Sequence, residues 1–455
     1  MEQNPSTRAG LIERRLEFRD VLRHVVRLAV PAFMSSLLVF LMNLLNYIVL
    51  AAFADYEAIA SYGIVSAYTN LSAGFFVPIA TGTGYLLERA QKAGDQHKVQ
   101  SIISTTLIAS LAVGIVSSAF MFLITPGYIW QVVTPDEIRE STTIFFRYFS
   151  LTLTPILMFS VTTIILIQTG ERAGPVLAEI SALALHAGFS YIFVGLFAWD
   201  TRGIAISAVV AQSTGTLINL HLVNQKRRKY LSNASKHVDW SVIRELFKEG
   251  RTGIFIAILG GVFAIFLQFF IDEMGVTTIA GFTLFFLFQD FLFIPINSLR
   301  GPTRTLSAER YEAGGELSLI RSVNPILIVA TVYSLILIPV TRLIGPPIFM
   351  LLSHDPEVTI IAMRLVNLVT FYYLFYALST LLSASLEGLG KKAVTMNLNI
   401  GFNYFIRFLV LLLAAMIIQG DESIAICYPV SWALATASLT IYYFANYSIS
   451  RKYSI

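Results

Sequence analysis

Cysteine is almost missing from this chain. Cys427 is the only one in 455 residues, so no internal disulfide can form. Lying in the last apolar run, it reads as a small packing side chain rather than a redox centre. Charge is scarce as well, at 13% of residues, roughly half the share of soluble domains. Strands of alternating polarity are absent, which excludes an outer-membrane barrel. There is no HExxH pair, no Walker A loop and no GxSxG elbow, and GLGKK at Gly388 lacks the spacing of a phosphate loop. No polar stretch is long enough to fold as a nucleotide-binding domain. An ATP-driven pump or a hydrolase is thereby disfavoured, and no metal or cofactor is expected. Met1 to Asp20 lacks a signal peptide's apolar core and small-residue cleavage site, so the first span is expected to be retained.

What fills the chain is apolar: 56% hydrophobic residues and a mean hydropathy of +0.70. The fold class is an all-α polytopic membrane protein. A hydrocarbon core of ~30 Å takes about 20 helical residues, so the length allows about twelve transmembrane helices. The apolar runs predict a first span from about Leu28 to Ala54. Others centre near Phe75, Ala112, Leu157, Leu185 and Val210, then near Phe263, Phe288, Val332, Tyr373, Val410 and Thr436.

The polar middle, Asn224 to Arg251, divides two apolar halves and carries Lys226, Arg227, Arg228 and Lys229. Residues 1–225 read as an N-lobe of six spans, 226–250 as a basic cytoplasmic linker and 251–455 as a C-lobe of six more. Val238 to Phe247 has the amphipathic pattern of a short interfacial helix. Lysine and arginine near span ends stay in the cytoplasm. Arg89 and Lys92, Arg172, Arg300 and Arg304, and Lys391 and Lys392 fall on the linker's side, whereas Asp55, Asp136, Asp200, Asp272, Asp355 and Asp421 fall in the alternate loops. Both termini are expected inside. The net charge of +4 reports this topology, not a nucleic-acid partner.

An internal repeat underlies the two halves. GER at Gly170 and GKK at Gly390 stand at an offset of 390 − 170 = 220, and the same offset pairs Ala93-Gly94 with Ala313-Gly314 and Glu137 with Glu357. GFSYIF at Gly188 and GFNYFI at Gly401 pair at 401 − 188 = 213, so a gap intervenes. Six spans per copy start both copies on the same side, as parallel repeats.

Nearly the whole chain resembles the multidrug and toxic compound extrusion (MATE) family, within the larger multidrug, oligosaccharidyl-lipid and polysaccharide exporter group. The resemblance is carried by LAVP at Leu28 with NLLN at Asn43, GTGYLLERAQKAGD at Gly82, QTGERAGP at Gln168, RGIAISAVVAQ at Arg202 and SLEGLGKK at Ser385. It implies two pseudo-symmetric six-helix lobes around a central cleft and export driven by a proton or sodium gradient. The chain also departs from the family. Many members have an aspartate in span one where this chain has Asn46, and an asparagine and an aspartate in span five where it has His186 and Ser190. A span-seven glutamate aligns with Gly260, and a span-ten aspartate with Tyr376.

Ionisable groups inside spans cost about 2.5 to 3.5 kcal/mol and are usually functional. Asp290 is the deepest carboxylate, about twelve residues or ~18 Å into span eight. Arg407 is about equally deep in span eleven, where the family often has an arginine. The two are the ion-coupling candidates; a permanent structural ion pair is the competing role. Asn43, Asn46, His186, Ser190, Gln289 and Tyr376 are the cleft candidates, although buried amides and a histidine also serve as glue between membrane helices. Arg147 and Arg364 are shallow enough to snorkel outward. The rings of spans eight and ten suit planar or cationic compounds, or simply lipid-facing bulk.

The sequence thus points to a secondary antiporter exporting amphipathic organic compounds by alternating access. It is expected to act as a monomer in a bacterial inner membrane, with a small-molecule substrate, a proton or sodium ion and the lipid bilayer as its partners. A flippase for a lipid-linked precursor is the alternative, and a non-transporting intramembrane enzyme or receptor a more distant one.

Overall fold

The computed structural model describes residues 18–131, 134–230, 238–418 and 420–447. Both termini and the centre of the basic middle loop lie outside them. Every regular element among the described residues is helical. Hydrocarbon offers the backbone no hydrogen-bond partner, so each segment must satisfy its own amides.

The first half comprises α1 (Phe18–Phe53), α2 (Tyr56–Lys92), α3 (Gln96–Gln131), α4 (Asp136–Phe149), α5 (Leu153–Gln168), α6 (Ala173–Ser190) and α7 (Asp200–Tyr230). The second comprises α8 (Trp240–Asp272), α9 (Val276–Ser353), α10 (Pro356–Val369), α11 (Tyr373–Gly388), α12 (Lys392–Ile400), α13 (Arg407–Ile417), α14 (Glu422–Ala425) and α15 (Cys427–Tyr447). Ten described helical stretches are long and apolar enough to cross a membrane. One of them, α9, runs for 78 residues but breaks at Gly314 and Gly315, where φ reaches −154° and +64°, so it supplies two spans. The 37-residue α2 makes the twelfth.

The duplication is written into the backbone. A 3-10 turn at Ser150–Thr152 joins α4 to α5, and another at Thr370–Tyr372 joins α10 to α11, at the offset already read from GER and GKK. Positive φ recurs at Gly170 and Gly390, and at Asp200 and Gly420. The Thr216 hydroxyl donates to the Pro155 carbonyl at 2.9 Å, and Thr436 donates to the Phe375 carbonyl at 2.6 Å. Both partners of the second bond follow those of the first by that same offset (436 − 216 and 375 − 155). Span five and span eleven each widen into a π turn, at Tyr191–Leu196 and Gly401–Ile406, within or beside the paired GFSYIF and GFNYFI motifs.

The described residues form two compact units. One contains Leu41–Thr283 with Met350–Thr359, the other residues 18–40 with Leu284–Phe349 and residues 360–447. In the first unit Phe76, Leu87, Ile102, Leu157 and Val161 form a core joining α2, α3 and α5. In the second, Val21 and Val25 of α1 pack with Ile296, Leu306, Ile326 and Leu381. Side chains such as Val116, Leu123, Met416 and Ile417 are exposed, as helices that turn an apolar face to lipid require. Because lipid is as apolar as leucine, close backbone approach and hydrogen bonds hold such helices together. Gly388 shows the first: a Cβ there would meet the Arg304 carbonyl oxygen at 2.2 Å.

The linker's second part continues directly into α8. Asp239 caps that helix, accepting from the Ser241 amide at 2.9 Å and from its hydroxyl at 2.6 Å. Its other carboxylate oxygen accepts from the Ser101 hydroxyl of α3 at 2.9 Å, and its amide donates to Thr105 at 3.0 Å. Lys98 pairs with Glu245 at 3.0 Å. The hydroxyls of Ser241 and Ser101 hold the Asp239 carboxyl below the usual carboxylate range. Val242 is fully buried, whereas Trp240 and Phe247 are exposed; the segment read as a short interfacial helix is instead the first part of the 33-residue α8.

Candidate functional site

The second unit gathers aromatic side chains around Asp290. Phe293 stacks on Tyr376 with ring centroids 3.8 Å apart and planes 12° from parallel, and meets Tyr373 edge-on at 5.0 Å. Trp432 of α15 closes the group, with its centroid 5.4 Å from Tyr376 and 5.5 Å from Tyr428. Such pairs hold one another by quadrupole attraction as well as by area. The Tyr376 hydroxyl donates to Asn297 Oδ1 at 2.8 Å, and Tyr373 reaches the buried Gln289 Oε1 at 3.5 Å.

Asp290 is accessible and makes no hydrogen bond or ion pair with any described residue. The hydroxyls of Tyr373, Tyr376 and Tyr428 lie within electrostatic reach of its charge. Arg407 is held differently. Its Nε donates to Ser431 Oγ at 2.9 Å and its Nη2 to Asn403 Oδ1 at 3.0 Å, while the guanidinium lies 4.6 Å from the Tyr428 ring centroid and 5.8 Å from that of Trp432. Tyr428 feels both charges. Asp290 and Arg407 therefore look onto one phenol without forming the ion pair that was the competing structural role.

Sequence reasoning missed the rest of the Arg407 support. Asn403 donates to Asn399 Oδ1 at 3.2 Å, and Asn399 donates to Ser383 at 3.4 Å, so an amide ladder at four-residue spacing runs through the π turn. The available signal was that spacing itself, Asn399, Asn403 and Arg407, across the GFNYFI motif.

The first unit carries a matching polar network. Asn46 donates from Nδ2 to the Tyr62 hydroxyl at 2.9 Å, and His186 Nε2 lies 2.5 Å from Asn46 Oδ1. Ser207 Oγ lies 3.0 Å from His186 Nδ1 and 2.7 Å from Ser190 Oγ. All five side chains are buried, His186 with 1% of its surface exposed. The structure thus unites Asn46, His186 and Ser190, three positions that the sequence places on two separate spans. Asn43 is exposed and takes no part. In the pairing of the GFSYIF and GFNYFI motifs, His186 corresponds to Asn399 and Ser190 to Asn403, so both units put their polar pair at one place in the repeat.

Arg364 pairs with the buried Asp421 at 2.9 Å, and the Arg147 guanidinium sits 4.9 Å from the Phe122 ring centroid. Among the described residues no group of three or more His, Cys, Asp or Glu could hold a metal ion.

The family model MatE matches this chain twice, at residues 31–192 and 254–413, together well over half its length. The chain belongs to the MatE family. The spacing of the two match starts, 254 − 31 = 223, is in keeping with the repeat. Among curated proteins it is similar to the probable multidrug resistance protein YoeA of Bacillus subtilis, with 20% identity over 82% of either chain. It is also similar to the multidrug export protein MepA of Staphylococcus haemolyticus, with 18% identity over 82% of this chain and 83% of the relative. Among solved structures, an inward-facing multidrug resistance MATE family transporter of the MOP superfamily superposes with a TM-score of 0.83 at 16% identity, covering 91% of this chain and 96% of that one. This MatE protein is thus a multi-pass membrane transporter of the multidrug efflux family and not an enzyme.

Proposed function

We propose that this MatE protein exports amphipathic organic compounds in exchange for protons, by alternating access across a bacterial inner membrane with both termini cytoplasmic. Asp290 carries the coupling, and the surrounding rings receive the apolar part of the compound. The observation behind this reading is the unpartnered Asp290 carboxylate amid Phe293, Tyr373, Tyr376 and Tyr428. A carboxylate in such surroundings gains by taking a proton, or a cationic group that rings also attract. Proton and substrate then exclude each other at one group, which is the requirement for exchange. Sodium is the weaker choice, because one acid can carry a proton whereas sodium needs several oxygen ligands.

The test is substrate-driven proton movement in proteoliposomes, with and without sodium. Wild type is expected to move protons in either medium, and Asp290→Asn to lose at least tenfold of that flux. Equal flux in the variant at every pH would remove Asp290 from the coupling role.

The flippase alternative needs a strongly basic site for an anion. Arg364 is already paired with Asp421 and Arg147 is stacked on Phe122, which leaves Arg407 as its main support.

A further inference from the structure

Asp272, counted from the sequence among the acids of an outer loop, is buried: only 1% of its surface is exposed. It closes α8 at the end remote from the basic linker. Gln268, one turn earlier on the same face and itself buried, donates from Nε2 to Asp272 Oδ1 at 2.7 Å. The other oxygen, Oδ2, is buried without any partner among the described residues.

Asp272 forms no ion pair with any described residue; Met350–Thr359, in the same unit, carries the exposed His354 and Glu357 and the half-buried Asp355. α8 packs on α2 and α3. Gly82 approaches Leu246, and both Gly250 and Gly253 approach Pro78, so α2 and α8 run antiparallel. Continued in that register, Asp272 comes level with the first turns of α2. Their titratable residues are Tyr56, the exposed Glu57, and Tyr62, which is bonded to Asn46. α3 contains no carboxylate, lysine, arginine or histidine beyond Lys98. Glu273, the neighbour of Asp272, is exposed. Among the described residues, the Gln268 amide is the hydrogen-bond partner of the Asp272 carboxylate.

Burial disfavours the ionised form of a carboxylate left with one hydrogen bond in such a place. We infer that Asp272 is a second proton-binding site, in the first unit, apart from the aromatic site around Asp290. Its ligand is a single proton. The carboxylate takes one H⁺ from water to become a neutral carboxylic acid, and releases it to water when that end of α8 is hydrated. One free oxygen and one amide are too few donors for a metal cation. The site stands three turns beyond Gly260, the position that the family resemblance marks in span seven. Its place in a transport cycle rests on the proton-exchange reading above; its protonation does not.

Two measurements separate these statements. Infrared difference spectroscopy of the purified protein in lipid, titrated with acid, should show a protonated-carboxyl carbonyl band that is lost in Asp272→Asn. Gln268→Met, which removes the amide partner, should leave the band but move it to higher frequency. The melting temperature of Asp272→Asn, an isosteric change, should match wild type. A band unchanged in Asp272→Asn, or one that answers to sodium instead of pH, overturns the site. In proteoliposomes Asp272→Asn should slow substrate-driven proton movement several-fold; full flux despite a lost band would make the acid structural and overturn its part in the cycle. Absence of proton movement in wild type would fail the exchange reading, while the infrared result would still judge Asp272.

Discussion

Nε2 of His186 lies 2.5 Å from Oδ1 of Asn46, and since an amide oxygen only accepts, the imidazole must donate there. Nδ1 then faces Ser207 Oγ, a hydroxyl that also lies 2.8 Å from the Ile204 carbonyl. With a neutral ring the Ser207 proton turns to Nδ1; with a charged ring Nδ1–H donates and that proton turns to Ile204. Either way every member keeps a partner, which is the condition for burying such a network.

Removal of the imidazole should therefore be costly. His186→Ala leaves Asn46 Oδ1 without its donor, and His186→Ala and Asn46→Ala are each expected to destabilise by about 1–3 kcal/mol. The double variant should cost less than the sum, because both changes break one bond. Thermal unfolding in detergent, read by tryptophan fluorescence, gives the comparison. Additive losses would show that the two side chains act separately.

The aromatic group makes a graded prediction about substrate. Trp432→Ala removes contacts to Phe293, Tyr373, Tyr376 and Tyr428 together and should weaken binding of a planar organic cation about tenfold, whereas Trp432→Phe should lose less. Tyr376→Phe keeps the stack on Phe293 and loses the hydroxyl's bonds to Asn297 and Thr380, so its effect should be smallest. Arg407→Lys should behave as a loss, since an ammonium cannot serve Ser431, Asn403 and two ring faces together. Equilibrium binding by fluorescence quenching ranks the four.

Gly388 and Gly301 offer opposite outcomes for one chemical change. A methyl at Gly388 would lie 2.2 Å from the Arg304 carbonyl oxygen, which belongs to backbone and cannot turn aside. Gly388→Ala is expected to cost about 1–3 kcal/mol as overpacking. Gly301, inside α9 with nothing within 4 Å of its added Cβ, should tolerate alanine or gain up to about 1 kcal/mol from helix propensity. Melting temperatures should move in opposite directions.

Asp239 sets a pH dependence outside the membrane. Its carboxyl is held below its ordinary value by the Ser241 and Ser101 hydroxyls, so the folded state binds its proton less readily than the unfolded state. That stability is complete above the unfolded value of about 4 and is lost as pH falls through the lower folded value. Asp239→Ala should destabilise the protein at neutral pH by about 0.5–2 kcal/mol, the size of a lost helix cap. The gap between variant and wild type should close as the medium is acidified below pH ~4. A gap constant with pH would mean that the carboxylate contributes nothing through its charge.

Much of the fold was legible because a membrane restricts the options to helices of one length, and because GER and GKK announce the offset that the 3-10 turns and the Thr216 and Thr436 bonds repeat. Asn46, His186 and Ser190 were found as single polar positions, but their union needed three-dimensional packing. Asp272 was misread because an acid at the end of an apolar run looks like loop. Hydropathy marks where a span stops and not which side chain turns inward. The π turns left no signal: one extra residue in a helical turn changes neither composition nor period enough to be seen.

Asp200 and Gly420 both hold a positive φ at the start of the last span of their copy, and the two residues share nothing chemically. Divergence has rewritten side chains while leaving the points at which the backbone bends. A six-span copy also returns its chain to the face of the membrane where it began. Fusion of two such genes therefore needs no added span, only a hydrophilic joint such as the one between α7 and α8. An ancestral single-copy protein inserted in one fixed orientation, paired as a homodimer, supplies everything the present arrangement requires.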